Sequence, residues 1–124
     1  MTQKATSAKV PTEHLEQAQF VAWFRQAYPD FLIFAIPNGE YRAMTVAKRL
    51  KAEGVVPGVP DLCVLMPAGK VLFIEMKRQK GGVLSANQKE VIAKIECLGF
   101  DVIVCKGALD AKNQIEAYIN ELSR

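Results

Sequence analysis

The chain has little of what marks a covalently stapled or membrane-bound protein. Its three cysteines, Cys63, Cys97 and Cys105, are odd in number and widely spaced, with no Cys-x-x-Cys. That pattern favours buried, reduced thiols in a cytosolic protein over a disulfide framework or a zinc site. A single histidine, His14, is read as a helix-surface residue with no role of its own. No apolar run reaches membrane-spanning length, and the first ten residues lack a signal peptide's apolar core. No internal repeat and no low-complexity segment is visible. Net charge is only +3, too small to establish a polyanionic partner but compatible with one, because local clusters steer binding more than the total does.

What is present suits one compact domain. Half of the 124 residues are apolar and 23% are charged, enough to build a core. Residues 1–11 read as a polar, disordered leader and residues 12–124 as a single domain. Thr12 is placed to cap a helix in which Leu15, Phe20, Trp23, Phe24 and Ala27 recur at helical spacing. Phe31 to Ile36 is a short apolar run, expected as a buried strand, and Pro37-Asn38-Gly39 breaks it. A basic helix is expected over about Ala43 to Glu53, followed by a loop through Val55 to Pro60. Two strands, Asp61 to Met66 and Lys70 to Lys77, are joined by Pro67-Ala68-Gly69, which makes them an antiparallel hairpin. Ser85 and Gln88 have capping-box spacing at the start of a third helix that ends before Gly99. Phe100 to Cys105 is expected as another buried strand, and Ala108 to Leu122 as a last amphipathic helix. The order α-β-α-β-β-α-β-α implies an α/β fold, a mixed sheet flanked by helices on both faces.

Three charges are out of place in the hairpin. Asp61 opens its first strand in Gly58-Val59-Pro60-Asp61-Leu62, and Glu75 and Lys77 end its second in Phe73-Ile74-Glu75-Met76-Lys77. Strand side chains alternate, so Val71, Phe73, Glu75 and Lys77 share a face that turns charged only at its last two positions. In an antiparallel pair the start of one strand lies beside the end of the next, which brings Asp61 to Glu75 and Lys77. Two carboxylates at the mouth of a sheet form an oxygen site suited to Mg²⁺ or Mn²⁺. Such a metal activates water against a phosphodiester, and Lys77 is placed to orient the nucleophile or stabilise developing charge. Glu-x-Lys by itself is a weak motif, and an ordinary ion pair at a solvated strand end explains it better; the apolar flanks, Asp61 on the neighbouring strand and the Gly-Val-Pro-Asp turn raise its weight.

The surrounding segments add a resemblance. Ile36-Pro37-Asn38-Gly39 with Arg42, Leu50-Lys51-Ala52-Glu53-Gly54-Val55, Pro57-Gly58-Val59-Pro60-Asp61, Ile74-Glu75-Met76-Lys77-Arg78, Leu84-Ser85 with Gln88, and Gly99 resemble the VRR-NUC domains. These are the virus-type replication-repair nucleases of the PD-(D/E)xK superfamily. The likeness spans about Glu13 to Tyr118 and implies a restriction-endonuclease-like αβββαβ core. It implies Asp61 and Glu75 as metal ligands and Lys77 as the catalytic lysine. It also places an acid on the first helix, for which Glu13 and Glu16 are the candidates, three apart on one helix face. Glu13 is preferred as the ligand and Glu16 kept beside it in the catalytic set.

Gln88 is read either as a contact of the site or as the capping partner of Ser85. Asn38, Arg42, Lys48, Arg78 and Lys80 are candidate nucleic-acid contacts, against the plainer reading of turn chemistry and solvated charge. By resemblance the substrate is DNA, in particular branched DNA such as four-way junctions, with Mg²⁺ or Mn²⁺ as cofactor. Stand-alone members resemble archaeal junction resolvases in size and in forming homodimers, in a phage or prophage setting within a bacterial cytoplasm. The rival readings are a nonspecific or end-directed nuclease and a binding module without catalysis.

Overall fold

The computed structural model describes residues 9–38 and 43–124. The expected leader lies mostly outside the described residues, as do Gly39 and Arg42. Helices α1 (Glu13–Ala27), α2 (Met44–Ala52), α3 (Ala86–Cys97) and α4 (Ala108–Leu122) alternate with strands β1 (Leu32–Ala35), β2 (Leu62–Met66), β3 (Lys70–Lys77) and β4 (Asp101–Lys106). The four strands form one sheet in the order β1-β2-β3-β4. The β1–β2 and β2–β3 pairs are antiparallel, the second of them a hairpin, and β4 joins β3 in parallel. This is the mixed α/β architecture expected from the order of elements.

Strand alternation divides the sheet into two faces. On one face Ile33, Leu62, Val64, Met66, Leu72, Ile74, Met76 and Cys105 are buried against Phe20 and Phe24 of α1 and Ala111 and Ile115 of α4. Each of the Val, Leu, Ile, Phe and Met side chains contributes about 1.5–3 kcal/mol by leaving water. Helix α3 lies over the other face, where Phe100, just ahead of β4, meets Phe73 edge-on with ring centroids 6.1 Å apart. It covers the β3–β4 half of that face; over β1 and β2, Leu32, Phe34 and Leu65 remain exposed.

That partial cover corrects two expectations. The segment around β1 is an edge strand with Ile33 alone fully buried, and in β4 only Cys105 is. Both are outermost strands, so their apolar runs reflect one packed face rather than two. Helix α1 also differs in detail: Leu15 is exposed, and the buried stripe is Glu16, Phe20 and Phe24, at i, i+4 and i+8. Thr12 caps this helix as expected, accepting from the Leu15 N–H at 3.1 Å. All three cysteines are free. Cys63 and Cys105 are buried, but Cys97, the last residue of α3, is exposed, against expectation. Burial raises the Cys63 thiol, and burial with the charge of Asp110 pushes Cys105 up to about 12, so both stay protonated at neutral pH. No described helix is long and apolar enough to cross a membrane.

Candidate active site

The last register pair of the β2–β3 hairpin is Leu62 with Ile74. Met76 lies beyond it, and its N–H is taken by the side chain of Asp61, whose Oδ2 accepts at 2.8 Å. The aspartate therefore continues the ladder with its carboxylate, which fixes it opposite the end of β3. The loop before it is held against α3. Gly58 has φ +92°, and a Cβ there would stand 2.7 Å from the carbonyl oxygen of Asn87. Only glycine fits that conformation and approach. The Gly-Val-Pro-Asp turn thus sets the distance between Asp61 and the first turn of α3.

Glu75 and Lys77 end β3 on the sheet face beneath α3, and both are nearly inaccessible, at 1% and 6% exposure. Lys77 Nζ lies 3.5 Å from Glu75 Oε2. Gln88 joins the two: its Oε1 accepts from Lys77 Nζ at 2.8 Å, and its Nε2 donates to Glu75 Oε2 at 3.0 Å. The same Oε1 accepts from the Ser85 N–H at 2.9 Å, while Ser85 Oγ accepts from the Gln88 N–H at 3.1 Å. The two readings of Gln88 therefore hold together. One side chain closes the capping box of α3 and orients the buried pair. Two donors on Oε1 and one acceptor at Nε2 fix its amide orientation.

The electrostatics are those of carboxylates in excess. Burial pushes the Glu75 carboxyl up to about 8, the negative charge of Asp61 adds to the rise, and Lys77 opposes it. Glu75 Oε1 is buried without a hydrogen-bond partner. An orphaned oxygen beside a second carboxylate fits a hard divalent cation. Among the described residues, no group of three His, Cys, Asp or Glu converges as a metal cluster.

The other sequence candidates are placed as follows. Glu16 is 2% exposed, and its Oε1 accepts from the Ala108 N–H at 2.9 Å, capping α4 across the fold. Glu13 is half-buried in the first turn of α1. Asn38 Nδ2 donates to Asp61 Oδ1 at 3.3 Å, which attaches its loop to the site. Arg78 and Lys80 are exposed just past β3, with Arg78 Nη2 donating to the Val10 carbonyl at 3.4 Å. Lys48 is exposed on α2, a helix with no buried residue. Arg42 lies outside the described residues. The sequence reading passed over Lys106, whose strand register puts it beside Lys77. Only the parallel pairing of β4 with β3 exposes that relation, and no local motif carries it.

An Asp just ahead of one strand and a Glu-x-Lys ending its neighbour, closed by a helix glutamine, mark a nuclease domain of the PD-(D/E)xK type. The family profile of the VRR-NUC domain matches residues 3–109, and the chain belongs to that family. Among solved structures, one described as a VRR_NUC domain protein is 25% identical with a TM-score of 0.72, over 90% of this chain and 91% of that one. A second, described as a VRR_NUC domain, is 20% identical with a TM-score of 0.61, over 87% and 99%, and shows the shared fold. No curated protein matches the sequence.

Proposed function

We propose that the protein is a metal-dependent DNA endonuclease selective for branched DNA, such as four-way junctions, and acting as a homodimer. The observation that carries the metal dependence is the close pairing of half-buried Asp61 with buried Glu75, whose Oε1 has no partner and whose carboxyl is raised. Asp61 and Glu75 would hold Mg²⁺ or Mn²⁺, with a first-helix acid beside them: Glu13 by its place in the family pattern, or Glu16, whose Oε1 caps α4 while its Oε2 is buried without a partner. A bound ion would polarise the phosphodiester and acidify an attacking water.

The chain's own groups do the rest. Lys77 is held by Gln88 and Glu75 at the mouth of the sheet, where its ammonium offsets charge developing on the phosphate. Preorganisation matters here, since a lysine clamped by two partners needs no rearrangement during the reaction. Asn38, Arg42, Lys48, Arg78 and Lys80 are the proposed backbone contacts, positioning DNA without reading its sequence. The preference for branches rests on the likeness of stand-alone family members to junction resolvases. A two-fold dimer presents two sites to a symmetric junction.

The test is cleavage of linear duplex, single strand, flap and four-way junction, each with Mg²⁺, with Mn²⁺ and with chelator. Junction cleavage only with metal is expected. Equal cutting of duplex and junction sinks the branch selectivity, and cutting under chelator sinks the metal dependence.

A further inference from the structure

Beside the proposed catalytic lysine the sheet carries a second one. Lys106 ends β4 in register with Lys77 on β3, and register partners on neighbouring strands, about 4.8 Å apart, share a face. Between these two and α3 lies a cavity of about 310 Å³ lined by Lys77, Gly82, Leu84, Lys89, Val104 and Lys106. The loop wall is drawn in close at Gly82, where a Cβ would stand 3.0 Å from Lys77 Cβ and 3.1 Å from the Arg78 nitrogen. Lys106 also borders a second cavity, of about 460 Å³, together with Lys80, Gly107 and Asp110. Lys89, Lys106 and Lys80 make no ion pair among the described residues. The one acid bordering these cavities, Asp110, turns its Oδ2 to the Lys106 N–H and to Gln114.

We propose that Lys89, Lys106 and Lys80 form a phosphate track leading away from Lys77, which holds the sugar-phosphate backbone next to the scissile position. The proposal rests on the nuclease reading for its substrate, DNA. Its chemistry, however, is binding of successive backbone phosphates by unpaired ammonium groups. A chain of lysines bordering two cavities that share Lys106 follows a strand rather than a single anion. Lys77, closed in by Gln88 and Glu75 but lining the first cavity, marks its start.

Binding of a labelled four-way junction and a linear duplex to the intact protein in chelator, over a salt series, tests this apart from cleavage. The double variant Lys89→Ala with Lys106→Ala is compared with Lys70→Ala with Lys94→Ala, which removes the same charge at the other end of β3 and in the last turn of α3. Loss of two phosphate contacts should reduce the slope of log K against log salt by about 2 and weaken binding roughly tenfold, with the control pair near wild type. Equal slopes for the two double variants overturn the track, whether or not the wild type cleaves. Absence of DNA binding by the wild type overturns it together with the nuclease reading. Binding with the expected change of slope, but no metal-dependent cleavage, supports the track and overturns the nuclease reading alone.

Discussion

The two faces of β3 are closed to solvent at the same end of the strand by opposite means. Leu72, Ile74 and Met76 lie at 0% exposure among the side chains of α1 and α4, where any apolar group of the right volume serves. On the other face Glu75 and Lys77 are as inaccessible as core residues, but their surroundings are Gln88, Asp61 and each other. Hydrocarbon packing stabilises without specifying charge. A buried carboxyl with one oxygen unpartnered costs stability rather than adding to it, and Glu75 Oε1 stands in that state on this face. The comparison therefore separates residues that hold the sheet together from residues that the sheet holds in place.

The largest effect should come from the charged face. Asp61→Ala, or Glu75→Gln, should lower metal-dependent cleavage by about a thousandfold or more while DNA binding in chelator and the fold by circular dichroism persist. Retained cleavage would remove these carboxylates from the chemistry. Met76→Ala, between Glu75 and Lys77 in sequence but on the other face, should do the reverse. It should cost about 2–5 kcal/mol in denaturant unfolding through the cavity it leaves, with cleavage per folded molecule little changed. If Met76→Ala abolished cleavage without loss of stability, the division between the faces would collapse.

Much of this division was legible in the chain, for a physical reason. Alternation along β3 and the short Pro67–Gly69 connection are local, so Asp61, Glu75 and Lys77 were brought together without coordinates. The Ser85–Gln88 cap was equally local. What could not be read were relations set by strand order and distant packing. β1 and β4 looked buried because an apolar run does not tell an edge strand from a central one. Lys106 was invisible because its partner Lys77 is chosen by a parallel pairing across a whole helix. Glu16 replaced Leu15 in the buried stripe of α1 because its carboxylate meets the Ala108 amide, 92 residues away.

A pH series tests the charged face next. The folded protein holds the Glu75 proton up to about 8, against an ordinary value of 4.5, with burial the first cause and Asp61 the second. The native state thus binds this proton more tightly than the unfolded chain does. The resulting stability is full below about pH 4.5 and is lost as pH rises through 8. In chelator the thermal midpoint of the wild type should fall over that interval more steeply than that of Glu75→Gln. Mg²⁺ or Mn²⁺ should reverse the loss in the wild type and leave the variant unmoved. Parallel slopes for the two proteins would place the charge strain elsewhere.

The smallest expected effect divides the two tasks of Gln88. Gln88→Ala strips Lys77 and Glu75 of a partner in a buried setting and opens the cap of α3. It should therefore lower stability by about 1–3 kcal/mol and reduce cleavage as well. Ser85→Ala removes only the hydroxyl that accepts the Gln88 N–H. Gln88 Oε1 still has the Ser85 N–H and the Lys77 ammonium, and its Nε2 still has Glu75. The expected cost is about 1 kcal/mol of stability, typical of a lost N-cap, with kcat and its pH profile unchanged. Should Ser85→Ala reduce cleavage as Gln88→Ala is expected to, the cap itself would be what holds Lys77. The charged face would then depend on the α3 terminus rather than on the glutamine's own three contacts.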